Sequence, residues 1–490
     1  MGDGERIAAV TYAVRARVVL KYFGQLALLQ ALLACAPLLA SLYFGEYQLS
    51  LSYLAVCALL AAIGLPLARL PQPSRVLTNE ALVITALAFV TAPVVMTIPF
   101  TEAGLPFGDA LFEAVSAITT TGLSTLASVE QLPRTVLFAR AWMQWYGGLG
   151  IVVLSLALLA GQGGVTRRLI EPETAGEGLT STVHAHARRV LIVYLALTAA
   201  GIAAVWIAGA PFAAGVDHVL AAVSTGGFST FDSSLSGFSS GRVTAVIMAL
   251  SVCGAIGLPL YYRAWRTGPR TLWRNPELRA LAFALTFVVA VLTVLMVFGE
   301  GIAWPQALRR AAVLGVSAQT TTGFSDSPPA ALGNATLLML IMAMMVGGCV
   351  GSTAGGVKLL RVLILLRVAR VAIRRAGATS HAVIEPMLEG KRIEDADLVR
   401  ALLLMALYCA VVLLSWLAFL AYGHAPMSSL FEVVSATATV GLSTGLSGPQ
   451  LEPLLKVVLE LDMLFGRLEI VALLVMLYPG TWIGTRDESL

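Results

Sequence analysis

Four short segments of this chain repeat one pattern. They read Thr119-Thr120-Thr121-Gly122-Leu123-Ser124, Ser224-Thr225-Gly226-Gly227-Phe228-Ser229, Thr320-Thr321-Thr322-Gly323-Phe324-Ser325 and Ala438-Thr439-Val440-Gly441-Leu442-Ser443. The second position is always Thr, the fourth Gly, the fifth Leu or Phe, the sixth Ser. Their glycines lie roughly 95–120 residues apart, a period set by whole structural units. Before each loop runs an apolar piece of about a dozen residues, clearest at Leu111 to Ile118 and Leu430 to Thr437. That is too short to cross a bilayer, which takes about 20 residues. A half-length apolar helix followed by a polar glycine turn, between two spans, reads as a re-entrant pore helix and its filter. Irregular backbone at membrane depth is tolerated only where protein or a water-filled path surrounds it. Four copies predict a four-walled pore.

The rest of the chain supplies the membrane. Of 490 residues, 58% are hydrophobic and 12% charged, against about a quarter charged in soluble domains. No soluble core buries that much apolar surface, so lipid is the expected solvent. The net charge of +4 is too small and too scattered to argue for nucleic acid. All five cysteines lie in apolar segments without CxxC spacing and read as small core hydrophobes. The histidines show no metal-ligand spacing and no catalytic cluster, which argues against an enzyme and for no cofactor in the chain. The start is not a cleavable signal peptide: Arg6, Arg15, Arg17 and Lys21 precede an apolar run long enough to span.

Ten candidate spans follow: Val18 to Leu42, Leu49 to Ala68, Ala81 to Phe100, Phe138 to Gly161, Val190 to Ala210, Val243 to Tyr261, Leu281 to Phe298, Ala335 to Val368 (interrupted), Leu402 to Tyr422 and Leu451 to Leu477. The first two stand alone; the other eight pair off around the loops. The expected fold is an all-α polytopic membrane protein of four helix–pore loop–helix repeats around one pseudo-fourfold pore, plus two N-terminal helices. Its parts are 1–70 (the two-helix extension), 71–165, 166–268, 269–378 and 379–490 (the four repeats). Basic residues concentrate at Arg15 to Lys21, Arg69 and Arg75, Arg167 and Arg168, Arg188 and Arg189, Arg263 to Arg279 and Arg361 to Arg375, all on one side of these spans. That side is the cytoplasm; the filters open on the other.

The repeat extends beyond the loops. Leu111 to Thr125 and Leu430 to Thr444 agree at 11 of 15 positions. Glu113 and Glu432 both stand nine residues before their glycine, with His218 in that place in the second repeat and Leu314 in the third. These polar groups either brace the filter or anchor the pore helix at the water interface. Asp232 and Asp326, just past the second and third filters, either concentrate cations at the mouth or are ordinary loop charges.

A cation leaving water needs its oxygen shell replaced, and rings of backbone carbonyls do this. Glycine permits the backbone angles that turn successive carbonyls inward. The expected ion-binding residues are therefore Thr120, Thr121, Gly122 and Leu123, with Thr225, Gly226, Gly227 and Phe228, Thr321, Thr322, Gly323 and Phe324, and Thr439, Val440, Gly441 and Leu442. Selectivity should rest on the shared glycine ring. The Thr layer lies on its inner side and the Leu/Phe layer outside, with side chains packed behind.

Two features are found in one repeat only. The eighth span is interrupted by Gly347-Gly348-Cys349-Val350-Gly351-Ser352-Thr353-Ala354-Gly355-Gly356-Val357-Lys358. Such glycine density opposes a continuous helix. It marks either a kink at a close helix contact or an unwound loop beneath the filter that gates the inner passage. Gly351 to Lys358 lacks the Gly-Lys-Ser/Thr of a phosphate-binding P-loop. In the last span, Asp462, Arg467 and Glu469 are charges at membrane depth. Arg467 either faces the cavity and repels cations or pairs with Asp462 or Glu469.

The four Thr-x-Gly-Leu/Phe-Ser loops, the Gly-Gly-Cys-Val-Gly-Ser-Thr-Ala-Gly-Gly-Val-Lys break and Gly466-Arg467-Leu468-Glu469 together resemble the TrkH/KtrB superfamily of potassium-translocating membrane subunits, over nearly the whole chain. The two extra N-terminal spans are similar to the TrkH branch. The resemblance implies potassium uptake through one pore per subunit, with potassium as substrate, in a homodimer of the cytoplasmic membrane. It implies a TrkA-type cytosolic subunit that binds nucleotide and regulates the pore. By match, Gly347 to Lys358 (with Gly348, Gly351, Ser352, Thr353, Gly355 and Gly356) is the intramembrane gate and Arg467 the pore-region arginine. Relatives with Ser at the first filter glycine tend towards sodium, so Gly122 favours potassium. A sodium-selective or sodium- or proton-coupled cation symporter is the alternative.

Overall fold

The computed structural model describes residues 13–71, 76–160, 179–377, 385–388 and 391–484. Apart from a two-residue antiparallel ladder, Met387–Leu388 with Lys391–Arg392, the regular structure among them is helical.

Two long helices, α1 (Ala16–Phe44) and α2 (Tyr47–Ala68), form an antiparallel hairpin. Gly45, in the left-handed conformation at φ 74°, caps α1 and lets the chain reverse at once. The helices touch through small residues: a side chain at Gly64 would strike the Gly24 carbonyl and Leu28. With lipid as solvent, such close backbone approach replaces a hydrophobic driving force.

Four units of one design follow. The first holds α3 (Thr78–Glu102), α4 (Phe107–Ile118) and α5 (Arg134–Ala160). The second holds α6 (Leu179–Ile207), α7 (Phe212–Val223), α8 (Gly241–Ala255) and α9 (Leu258–Thr267), with the short α10 (Arg270–Arg274) leading out. The third holds α11 (Pro276–Glu300), α12 (Trp304–Gln319), α13 (Asn334–Val346) and α14 (Leu359–Ala376). The fourth holds α15 (Asp395–Ala421), α16 (Pro426–Thr437), α17 (Pro453–Arg467) and α18 (Val471–Leu477).

Helices α4, α7, α12 and α16 are the half-length elements. Three have 12 residues, or about 18 Å, little more than half the hydrocarbon thickness. Proline stands at or next to each start, as Pro106, Pro211, Pro305 and Pro426, where its fixed φ suits the first turn and its missing N–H is no loss. Each is buried along its C-terminal half, so the loop that follows lies inside the protein.

Three of the ten expected spans are broken, where the sequence flagged one. The eighth leaves the helix between Val346 and Leu359, an unwound loop rather than a kink. The sixth bends by 87° between α8 and α9; Gly257-Leu258-Pro259 supplies the break, since Pro259 cannot donate to the preceding turn. The tenth stops at Arg467, and Glu469 and Ile470 turn it at φ 54° and 62°. Glu469 therefore lies in a turn, not in a continuous helix as expected. Among the outgoing helices of the four units, α5 alone runs unbroken past this level.

Candidate functional site

The four loops share one backbone conformation. Thr120, Thr225, Thr321 and Thr439 have φ of 55°, 52°, 55° and 50°, and Gly122, Gly227, Gly323 and Gly441 have 91°, 76°, 87° and 92°. In an ordinary strand, successive carbonyls alternate sides. A left-handed residue at every second position brings them towards one side. Holding Thr there costs about 1–2 kcal/mol each, so the surrounding structure must impose it.

The loops meet in a closed ring. A methyl group on Gly122 would collide with the Gly226 carbonyl, one on Gly227 with that of Thr322, one on Gly323 with that of Val440, and one on Gly441 with that of Thr121. Each glycine thus faces the carbonyl just before the glycine of the next repeat, and the fourth closes onto the first. Only hydrogen fits there. Leu123, Phe228, Phe324 and Leu442 are buried behind the ring.

Pore-helix brackets sit behind the loops. Glu113 accepts from Ser124 Oγ and from Thr125 N (3.1 Å). Glu432 accepts from Ser443 Oγ (2.7 Å), Thr444 N (2.7 Å) and Ser447 Oγ (2.7 Å). His218 Nε2 bonds Ser229 Oγ at 2.9 Å. These groups brace the last residue of each loop; they are fully buried and do not anchor the helix in water. Leu314 leaves the third repeat without a bracket of its own, and the second repeat provides one. Ser234 Oγ accepts from Ser325 N at 3.2 Å, and Leu235 N donates to Ser325 O at 3.0 Å. Asp232 and Asp326 are likewise engaged, the first between loops and the second with the helix of its own repeat. Asp232 accepts from Ser128 Oγ (2.7 Å) and Val129 N (2.6 Å), and Asp326 pairs with Arg309 at 3.7 Å.

Four further residues escaped the sequence reading. Arg140, on α5, is buried with Glu113 at 2.8 Å; a base inside an apolar span was the available signal. Gln144, on the same helix, reaches the second loop. Gly254, on α8, packs so closely on the Val223 carbonyl that a side chain would not fit. Gly147 and Gly466 do the same at Ile118 and Thr437.

Beneath the ring lies the glycine-rich loop. Gly355 N donates to Thr321 Oγ1 at 2.7 Å, and Gly356 N to the Ala438 carbonyl at 3.2 Å. Thr353 Oγ1 lies 3.0 Å from both the Val223 and Gly254 carbonyls and 3.3 Å from Thr225 Oγ1. Ser352 donates within the loop, to Cys349 O. Gly347 accepts from Gln319 Nε2 at 2.8 Å, Gly348 from Leu359 N at 3.0 Å and Gly351 from Leu258 N at 2.9 Å. Lys358 Nζ folds back onto Ala354 O. Thr120 and Thr439 keep buried hydroxyls with no partner among the described residues, whereas Thr225 and Thr321 are tied to the loop. The loop is a buried, bonded plug rather than a slack segment.

Arg467 pairs with neither neighbour. Its Nη1 donates to the Thr353 carbonyl at 2.8 Å and its Nη2 lies 3.4 Å from the Gly147 carbonyl. Asp462 accepts from Ser415 (2.7 Å), and Glu469 pairs with Arg361 (2.6 Å). Arg467, Lys358, Ser352, Gly355 and Glu469 line a cavity of about 610 Å³ against the glycine-rich loop.

Chemically, the ring presents neutral carbonyls and hydroxyls and no carboxylate. Four pore-helix C-termini, each carrying partial negative charge, end against it. Such a site suits a dehydrated monovalent cation better than a divalent one, whose sites recruit carboxylates.

A ring of four matched loops, walled by helices long and apolar enough to cross a membrane and underlain by the glycine-rich loop, is the architecture of a polytopic membrane protein. The chain belongs to the TrkH family, described as cation transport proteins, whose model matches residues 55–479. A curated relative from Salmonella typhimurium, the Trk system potassium uptake protein TrkH, is 31% identical over 83% of this chain and 86% of its own length. The protein of the same name from Vibrio parahaemolyticus is 31% identical over 76% of this chain and 79% of its own. An uncharacterized cation transporter of Methanocaldococcus jannaschii is 27% identical over 94% of both. The crystal structure of the potassium transporter TrkH from Vibrio parahaemolyticus superposes with a TM-score of 0.85 and 27% identity, covering 96% of this chain and all of that one.

Proposed function

We propose that this protein carries potassium into the cell across the cytoplasmic membrane, through the ring formed by the four Thr-x-Gly-Leu/Phe-Ser loops. The closed contact of each filter glycine with the next loop's carbonyl carries this reading. It sets a fixed aperture of oxygen atoms that replaces a cation's water shell. Relatives named for potassium uptake support the choice of ion. Inward flow draws on the membrane potential, about 2.3 kcal/mol per charge per 100 mV. The loop from Gly347 to Lys358 acts as the gate in this reading, which its hydrogen bonds with Thr321, Ala438 and Val223 support. Arg467 holds that gate and repels cations from the inner cavity. The chain works as a homodimer, and a TrkA-type cytosolic subunit that binds nucleotide moves the gate from the cavity side.

Expression in a strain deficient in potassium uptake is the test. Growth should be rescued at low potassium, and purified protein in liposomes should take up rubidium faster than sodium. Equal rubidium and sodium uptake, or growth dependent on sodium, would overturn the potassium assignment in favour of the sodium-selective or coupled alternative.

A further inference from the structure

Helix α5, the unbroken outgoing helix, presents Arg140, Gln144 and Gly148 at four-residue spacing, stacked on one face. All three meet the second filter loop. The Arg140 guanidinium carbon lies 3.8 Å from the centre of the Phe228 ring. Gln144 Nε2 donates to the Gly226 carbonyl at 2.6 Å, and its Oε1 accepts from Phe228 N at 3.2 Å. At Gly148 the helix comes so close that a methyl group would lie 3.0 Å from Ser224 Cβ.

Gly226 stands at the third position, where the other loops have Thr121, Thr322 and Val440, and Gln144 explains the glycine. The backbone of Gly226 is not left-handed, so its conformation does not require glycine. A Cβ there would collide with the Gln144 amide. Counted from Gly147, Gly254 and Gly466, which pack on equivalent carbonyls, the positions matching Gln144 in the second and fourth repeats are Ser251 and Met463, and counted from the loop glycine, Gly323, the third is Met345. No side-chain amide reaches the carbonyls of Thr121, Thr322 or Val440 among the described residues.

We propose that Gln144 is a specificity-determining positioning residue of the filter, rigidly holding its second wall. It fixes the Gly226 carbonyl and the Phe228 amide together. A carbonyl shared with an amide donor gives an ion less electron density than its three unshared neighbours, so this layer is built unequal. The proposal rests on the reading of the four loops as the ion filter.

Rubidium and sodium uptake by the full-length protein in liposomes tests it, read as the ratio of the two rates. Gln144→Leu, and Gln144→Glu, which keeps the acceptor but loses the donor, should each lower the ratio by roughly three- to tenfold. Gly226→Ala should lower it in the wild-type background. Combined with Gln144→Ala, it should lower it much less, since the collision is gone. A wild-type ratio in Gln144→Glu, or equal damage by Gly226→Ala in both backgrounds, would overturn the proposal. Gly323→Ser serves as control. If it too leaves the ratio unchanged, the filter reading itself fails, an outcome distinct from loss of the Gln144 role alone.

Discussion

Replacing Arg467 by Gln removes a cationic anchor from beneath the proposed gate. The guanidinium holds the Thr353 carbonyl at 2.8 Å, with a weaker contact to Gly147 at 3.4 Å. A hydrogen bond from a charged donor contributes about 1.5–3 kcal/mol, and a neutral one about 1 kcal/mol. Gln keeps a donor amide but loses the charge, so the closed loop is destabilised by about 1–2 kcal/mol. If the loop exchanges between closed and open forms, the open-to-closed ratio rises by roughly 5- to 30-fold. Rubidium leak into liposomes, without any cytosolic subunit, should rise by that factor until the open form dominates. Thr353→Val, which removes the hydroxyl near Val223 and Gly254, should act in the same direction and more weakly. Leak unchanged in both variants, at wild-type thermal stability, would refute the gating role of this contact.

Two further outcomes follow from the brackets around the ring. Glu432→Gln turns an acceptor of hydrogen bonds from Ser443, Thr444 and Ser447 into a group with its own donors; one buried mismatch should cost about 1–3 kcal/mol, visible as a lower thermal midpoint in detergent. Asp232 gives a pH signature: burial acts to raise its carboxyl, but hydrogen bonds from Ser128, Val129 and Glu130 outweigh this and hold it below the usual range. A group whose folded pKa is depressed stabilises above its unfolded pKa and loses that contribution as pH falls through the folded one. Acidification should therefore loosen the clamp between the first two loops, and Asp232→Asn should remove that part of the pH dependence of thermal stability.

The sequence revealed the parts that repeat. A pore helix and its loop are local in the chain, and four copies expose the shared Thr, Gly and Ser positions against unrelated neighbours. The unwound loop between Val346 and Leu359 was legible because its glycines are concentrated. The other two breaks were hidden by hydropathy, which stays apolar through Gly257-Leu258-Pro259 and through Leu468 to Ile470. The second carries neither Gly nor Pro; buried Arg467 on the loop and Glu469 on Arg361 accompany the turn there. Contacts between repeats were out of reach for another reason. Gln144 and Gly226, or Ser234 and Ser325, are 82 and 91 residues apart, and nothing local in either segment announces the partner. Arg467 shows the limit most clearly: nearby acids in the sequence suggested a pair, while the fold gave it two distant carbonyls.

The ring itself is tested most directly by alanine at each filter glycine in turn: Gly122, Gly227, Gly323 and Gly441, with rubidium and sodium uptake measured in liposomes. Each methyl would meet a carbonyl of the adjacent loop at a left-handed backbone position. All four variants should lose preference for rubidium over sodium. Wild-type preference in any one of them would contradict a closed four-walled filter.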